Sequence, residues 1–322
     1  MKRISISPPV AALILAVILF LLSGLLPNGF GSDLDVARAQ ATNILRLAVF
    51  LGVIAAGQTL VIISGAEGID LSAGSVVTLT AILTYVIVNG ANEKVLPALL
   101  VSLAVGAVIG LINGAGITFL KISPFVMTLG MSGVVTGTII IVNQGSVSGK
   151  VAPIMTRLIA RPLSPEIPIP NAIIIWLIFG TLMWLLLERT AFGKNLFAIG
   201  VNRVTARLSG VDVTGMNLAT YSLAGALAGF GGFLVVGNTG VVFIALGQPF
   251  LFPSIAAVAV GGTLLSGGKG SYWGTMAGAI VLTLITSLLT TMQMPESVRR
   301  MVLGATLLIL ISIYGRQRSL RQ

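Results

Sequence analysis

The chain has 322 residues, 56% hydrophobic and only 9% charged, with a mean hydropathy of +1.04; a soluble domain carries roughly 25% charged residues, so this composition cannot make a water-facing surface. The net charge of +10 comes from Lys and Arg that punctuate apolar runs instead of forming a basic stripe with exposed aromatics, which points to membrane orientation and away from nucleic acid. With no Cys and no His, disulfides, thiolate nucleophiles, typical zinc sites and histidine bases are excluded, so no metal, cofactor or catalytic residue is expected.

Lys2 and Arg3 precede the apolar run Val10 to Leu26 in the manner of a secretory signal, and Ala37-Arg38-Ala39 resembles a cleavage site. Asp33 and Asp35 put that site far from the apolar core, so an uncleaved first helix is expected. A spanning helix needs about 20 mostly apolar residues. On that template spans fall near 10–26, 44–63, 71–88, 95–119 and 124–142. Asn143 to Pro170 then carries Lys150, Arg157, Arg161, Glu166 and prolines at 153, 162, 165, 168 and 170, so 144–170 reads as an extramembrane segment. A second set follows near 171–187, 216–236, 253–266, 272–291 and 298–314, the run from Pro253 being short and glycine-rich.

The reading is an all-α, polytopic transmembrane bundle forming a single domain over 1–322, with about ten spans and eight as the alternative. With both termini cytoplasmic, Lys121, Arg189, Lys194, Arg203, Arg207 and Lys269 lie inside along with the basic ends of the chain. The pair Arg299-Arg300 then falls awkwardly outside. Glycines at helical spacing (Gly106, Gly110 and Gly114; Gly225 and Gly229; Gly274 and Gly278) suit close helix packing and say nothing of substrate.

Three breaks between apolar runs are more informative. Ser64 to Ser75 holds Glu67 and Asp70, ionisable groups that are costly in a membrane unless solvated or paired. Asp70 and Ser72 equally suit capping of the helix that opens near Leu71, and a transport role stands beside that reading. Gly261 to Ser271 ends in Gly268-Lys269 but is not a phosphate loop, because Thr263 stands where a glycine is required and Gly270 replaces the metal-binding hydroxyl residue. In the basic loop 189–214, Asn202 to Ser209 can form a short amphipathic helix. Val204 and Leu208 share one face, Arg203 and Arg207 another, and Gly210 can stop it; a merely solvated basic loop is the plainer alternative.

Thr190-Ala-Phe-Gly-Lys, Ala198-Ile-Gly-Val-Asn and Ala206-Arg-Leu-Ser-Gly-Val together resemble the cytoplasmic loop of ribose/xylose-type, monosaccharide ABC transporter permeases. Gly68-Ile-Asp-Leu-Ser-Ala-Gly-Ser and Gly261-Gly-Thr-Leu-Leu-Ser-Gly-Gly-Lys-Gly are similar to that family's other signatures, in the same order, and the likeness runs from about residue 40 to the end. Branched-chain amino acid permeases share the architecture and some of the wording. The resemblance implies a bacterial inner-membrane importer subunit, with a second permease, a cytoplasmic ATP-binding-cassette ATPase on a separate chain and a periplasmic substrate-binding protein as partners. It implies that Gly200, Asn202, Ala206, Arg207, Leu208, Ser209 and Gly210 belong to a coupling helix that docks on the ATPase. Val201 and Arg203 depart from the family's usual residues, which leaves the choice of ATPase open.

Glu67, Asp70, Ser72, Gly268 and Lys269 stand as candidates for the pathway or for structural breaks, and few ionised residues suit a neutral sugar. Asn113, Thr128, Asn143, Gln144 and Asn238 offer hydrogen-bonding groups on or near spans, where helix-to-helix bonding is the commoner use. An ion-coupled secondary transporter, titrating Glu67 or Asp70, is the competing mechanism.

Overall fold

A computed structural model describes residues 7–26, 29–65, 68–143, 147–162 and 169–319. Among them the regular secondary structure is all helix, apart from an isolated bridge between Pro162 and Pro170. In order the helices are α1 (Pro8–Gly24), α2 (Leu34–Ile63), α3 (Ala73–Val88), α4 (Val95–Phe119), α5 (Pro124–Asn143), α6 (Pro153–Ala160) and α7 (Asn171–Arg189). They continue with α8 (Ala191–Val201), α9 (Arg203–Leu208), α10 (Val213–Thr239), α11 (Gln248–Val260), α12 (Tyr272–Thr291) and α13 (Glu296–Ser319).

Six of these, α2, α4 with the 3₁₀ turn before it, α5, α7, α10 and α12, are long and apolar enough to cross a bilayer. The apolar helices α1, α3 and α11 are shorter, at 17, 16 and 13 residues. Two boundaries differ from expectation. The α2 helix begins ten residues early because Asp33 caps it, its Oδ1 accepting from the N–H of Asp35 at 2.9 Å and of Val36 at 3.1 Å. The span expected at 253–266 is instead Gln248–Val260. Pro253 lies inside it, forgoing one intrahelical bond, and the turn at Gly261 and Gly262 (φ +88°) ends the helix where the span was expected to continue.

The core is built round α2 and α10. In the most apolar stretch of α2 89% of residues are buried and in α10 72%, against 17% in α5, so α5 lies on the outside. Small residues let the central helices touch backbone to backbone: a methyl group added at Gly106 or Gly110 of α4 would overlap the carbonyl oxygen of Gly225 or Tyr221 on α10. Gly278 of α12 meets the Ala257 carbonyl of α11 in the same way. The glycine spacing thus serves packing between helices of this chain.

Buried polar groups pin neighbouring helices together, as they must where no water can satisfy them. The Thr59 and Thr275 hydroxyls of α2 and α12 pair at 2.8 Å, and Thr84 and Ser102 of α3 and α4 also at 2.8 Å. Trp176 Nε1 of α7 donates to the Tyr272 hydroxyl of α12 at 3.1 Å, and that hydroxyl donates to the Gly52 carbonyl of α2 at 2.9 Å. At the bundle's edge, α1 lays Ala12 and Ala16 against Ala277 and Val281 of α12. The Pro-rich segment contains the short helix α6, which starts at Pro153 and packs Met155 and Ile159 against Gly237 near the end of α10. Arg300, part of the awkward basic pair, is matched by Glu296 one turn away, and Arg299 Nη1 donates to Thr290 Oγ1 at 2.7 Å.

Candidate functional site

The break between α2 and α3 is held by side chains from α2 itself and from α4 and α5. Gln58 of α2 grips the backbone of Asp70, donating to its carbonyl at 2.6 Å and accepting from its N–H at 3.2 Å. Thr128 of α5 accepts from the N–H of Leu71 at 3.0 Å. Asp70 is buried, and its Oδ1 accepts from the N–H of Ser72 at 2.8 Å and from the Ser72 hydroxyl at 2.6 Å. Asn113 of α4 donates to that hydroxyl at 2.9 Å. Asp70 therefore caps the opening of α3, whereas Ser72, the residue in the cap position, makes no cap bond with its own side chain. The free N–H and C=O groups of a helix interrupted in a low-dielectric interior are met here by protein.

The two glycine-rich breaks and the basic loop meet at one end of the bundle. The N–H of Gly268 donates to the carbonyl of Ile63, the last residue of α2, at 2.9 Å. A methyl group at Gly200, near the end of α8, would overlap both that carbonyl and the Gly268 nitrogen. One at Gly267 would strike the Gly65 backbone. Gly200 and Gly268, which the sequence places in separate breaks, thus form a single junction where only residues without a side chain fit. Lys269 beside it is exposed, and its carbonyl accepts from Leu264 to close the loop at 3.0 Å.

The amphipathic helix expected in the basic loop is α9. Asn202 caps it, its Oδ1 accepting from the N–H groups of Val204 at 2.9 Å and Thr205 at 3.0 Å. Gly210 at φ +86° turns the chain out of it, and the N–H of Gly210 donates to the Arg207 carbonyl at 3.0 Å. Ala206 is buried against Ile199 and Val213, which seats the helix on α8 and the start of α10. Its other face is bare: Val204 is 69% exposed and Leu208 84%, with Val201 before it at 72%. Arg207, Ser209 and Gly210 are exposed as well.

Beside α9 lies a cleft of about 350 Å³ between the ends of α2 and α4 and the starts of α5 and α10. Lys121, Arg203 and Arg207 line it, and among the described residues no Asp or Glu does. Arg203 reaches Asn217 Oδ1 with one Nη at 3.0 Å, while its Nε is buried without a partner. Burial pulls the Arg203 guanidinium below its ordinary value; Tyr221 acts the other way and Arg207 in the same sense.

Glu67 and Gln144 lie outside the described residues, as does the side chain of Asn143. Asn113 and Thr128 belong to the α3 opening, whereas Asn238 sits at the far end of α10. Gln58, Lys121 and Tyr221 are site residues that pattern reading passed over. Gln58 had a visible signal, a long polar side chain inside an apolar run.

A family model described as the branched-chain amino acid transport system permease component matches residues 40–311. The chain is 30% identical to the ribose import permease protein RbsC of Escherichia coli, over 94% of this chain and 92% of the relative. It is 29% identical to the fructose import permease protein FrcC of Rhizobium meliloti, over 95% and 85%. With the galactose/methyl galactoside import permease protein MglC of Escherichia coli the identity is 32%, over 90% of each chain. No solved structure matches the chain significantly.

Proposed function

The chain belongs to the permease family of binding-protein-dependent ABC importers, as a multi-pass membrane protein of the monosaccharide type, and from that premise we propose how it works. It is the membrane-spanning subunit that carries a monosaccharide or similar small polar solute across a bacterial inner membrane. A periplasmic binding protein delivers the solute, and ATP is hydrolysed on a separate cytoplasmic subunit. Ten spans, with both termini inside, place α9 and the glycine junction in the cytoplasm. A second permease, the same or different, completes the pathway.

The observation that carries this reading is the placement of α9. An exposed apolar and basic helix is seated through Ala206 on α8 and α10, and α8 closes at Gly200 on the end of α2 and on the 261–271 loop. A push on α9 would therefore pass through Ala206 to α8 and α10, and from α8 to the end of α2 through a junction at Gly200 with no side chain to absorb it. Gly200, Asn202, Ala206, Arg207, Leu208, Ser209 and Gly210 would act as one coupling element, shaped by caps and docked by the exposed face. Replacing Arg207 by Glu is expected to weaken co-purification with the ATPase and to lower ATP-driven uptake about tenfold or more, while the permease itself stays folded. Unchanged association and unchanged uptake would sink the coupling role.

The sugar cargo is drawn from the relatives, whose names specify ribose, fructose and galactosides. Screening the cognate binding protein against sugars tests it directly. Ion coupling through Asp70 has less support, because the carboxylate is already engaged by Ser72.

A further inference from the structure

We propose that the cleft beside α9 is a binding site for a phosphate-bearing anion, supplied by the headgroup of an acidic phospholipid. Three cationic side chains, Lys121, Arg203 and Arg207, converge on one cavity that no carboxylate among the described residues lines. Like charges gathered in a partly buried space repel one another and hold the folded state under strain until an anion joins them. Two buried polar atoms among the lining residues have no partner, the Nε of Arg203 and the hydroxyl of Tyr221. Buried donors left unmet in this way carry a free-energy cost that a bound acceptor removes. A guanidinium and an ammonium supply the charge-assisted bonds that phosphate oxygens accept most strongly.

Lys121 adds a separate observation. It follows the end of α4 with φ +55°, and the N–H of Ile122 reaches back to the Gly116 carbonyl at 3.4 Å, so Lys121 occupies the left-handed stop position that glycine usually fills. A lysine there is conformationally costly, and it places a cation on the cleft.

The rim favours a lipid as bearer of the phosphate. The residues that flank the lining segment in the chain are large, apolar and bare: Phe119 is 64% exposed, Leu120 71%, Phe125 55% and Val126 59%. A cationic pocket edged by such side chains fits a headgroup whose acyl chains run along the ends of α4 and α5. The inference concerns the permease alone and does not depend on the coupling role of α9.

The full chain is purified in neutral detergent without its ATPase. Binding of phosphatidylglycerol and of phosphatidylcholine is then compared by thermal shift and native mass spectrometry, with inorganic phosphate as a separate competitor. Phosphatidylglycerol is expected to bind about tenfold more tightly than phosphatidylcholine, and added salt to narrow the difference. Lys121→Gly, which suits its backbone position and so keeps the fold, and Arg203→Gln should each remove most of the preference. Lys194→Gln, a basic change at the same end of the bundle but outside the cleft, should leave it intact. Competition by inorganic phosphate supports the site and makes the phosphate group alone sufficient; preference without competition supports it and makes the lipid the required source. Equal binding of the two lipids, a preference that survives Lys121→Gly together with Arg203→Gln, or equal loss in Lys194→Gln would each overturn the proposal.

Discussion

At the scale of residues, the opening of α3 separates what a charged group does from what its charge does. Asp70 accepts two bonds from Ser72 through one oxygen, and an amide oxygen can accept the same two. Asp70→Asn is therefore expected to retain the cap and to cost at most about 1 kcal/mol, whereas Asp70→Ala leaves a buried N–H and hydroxyl unmet and costs about 2–3 kcal/mol. Uptake should survive the first change. A folded Asp70→Asn protein without transport would show that the carboxylate titrates or binds an ion, and would revive the ion-coupled mechanism. Sequence alone left capping and transport level at this position, because the decisive partners, Gln58 and Asn113, lie on other helices and a linear pattern cannot pair them.

At the scale of helices, apolar run length located spans well where charge brackets them. The expected 95–119 coincides with α4, set off by Lys94 and Lys121, and the expected 272–291 coincides with α12. It failed at α11, because a proline read as a helix start is tolerated inside one near the N-terminus. Glycine spacing told of close packing without naming the partner: Gly106 lies on Gly225, while no described residue approaches Gly130, Gly133 or Gly137 on the outer helix α5. These two classes of glycine should respond differently to one methyl group. Gly106→Ala has to part α4 from α10 and is expected to cost about 2 kcal/mol. Gly130→Ala meets open space and should be neutral, or stabilising by up to about 1 kcal/mol. Thermal unfolding of the two variants in the same detergent checks this, and equal effects would contradict the packing.

For the whole molecule, the decisive matter is how many helices cross. Helices of 17, 16 and 13 residues are about 26, 24 and 20 Å long, short of a hydrocarbon core of about 30 Å. On the proposed ten-span arrangement α3 and α11 would complete their depth through the glycine breaks, where Gln58 and Thr128 meet backbone groups of Asp70 and Leu71 and the Ile63 carbonyl meets the N–H of Gly268. Both breaks lie at the same end of the bundle as α9, an arrangement compatible with ten crossings. That convergence was hidden in the sequence, where the segments stand far apart and only their order could be read. The alternative of eight crossings, with α3 and α11 failing to span, would reverse every segment from α4 to α10. It would carry Arg157 inside and Thr205 outside. The chain has no cysteine, so a single introduced one reports alone. Arg157→Cys on α6 and Thr205→Cys on α9 are both at exposed positions. In intact spheroplasts a membrane-impermeant maleimide is expected to label the first and to reach the second only after permeabilisation. The reverse pattern would place α9 on the side away from any ATPase, and the coupling mechanism would fall with the topology.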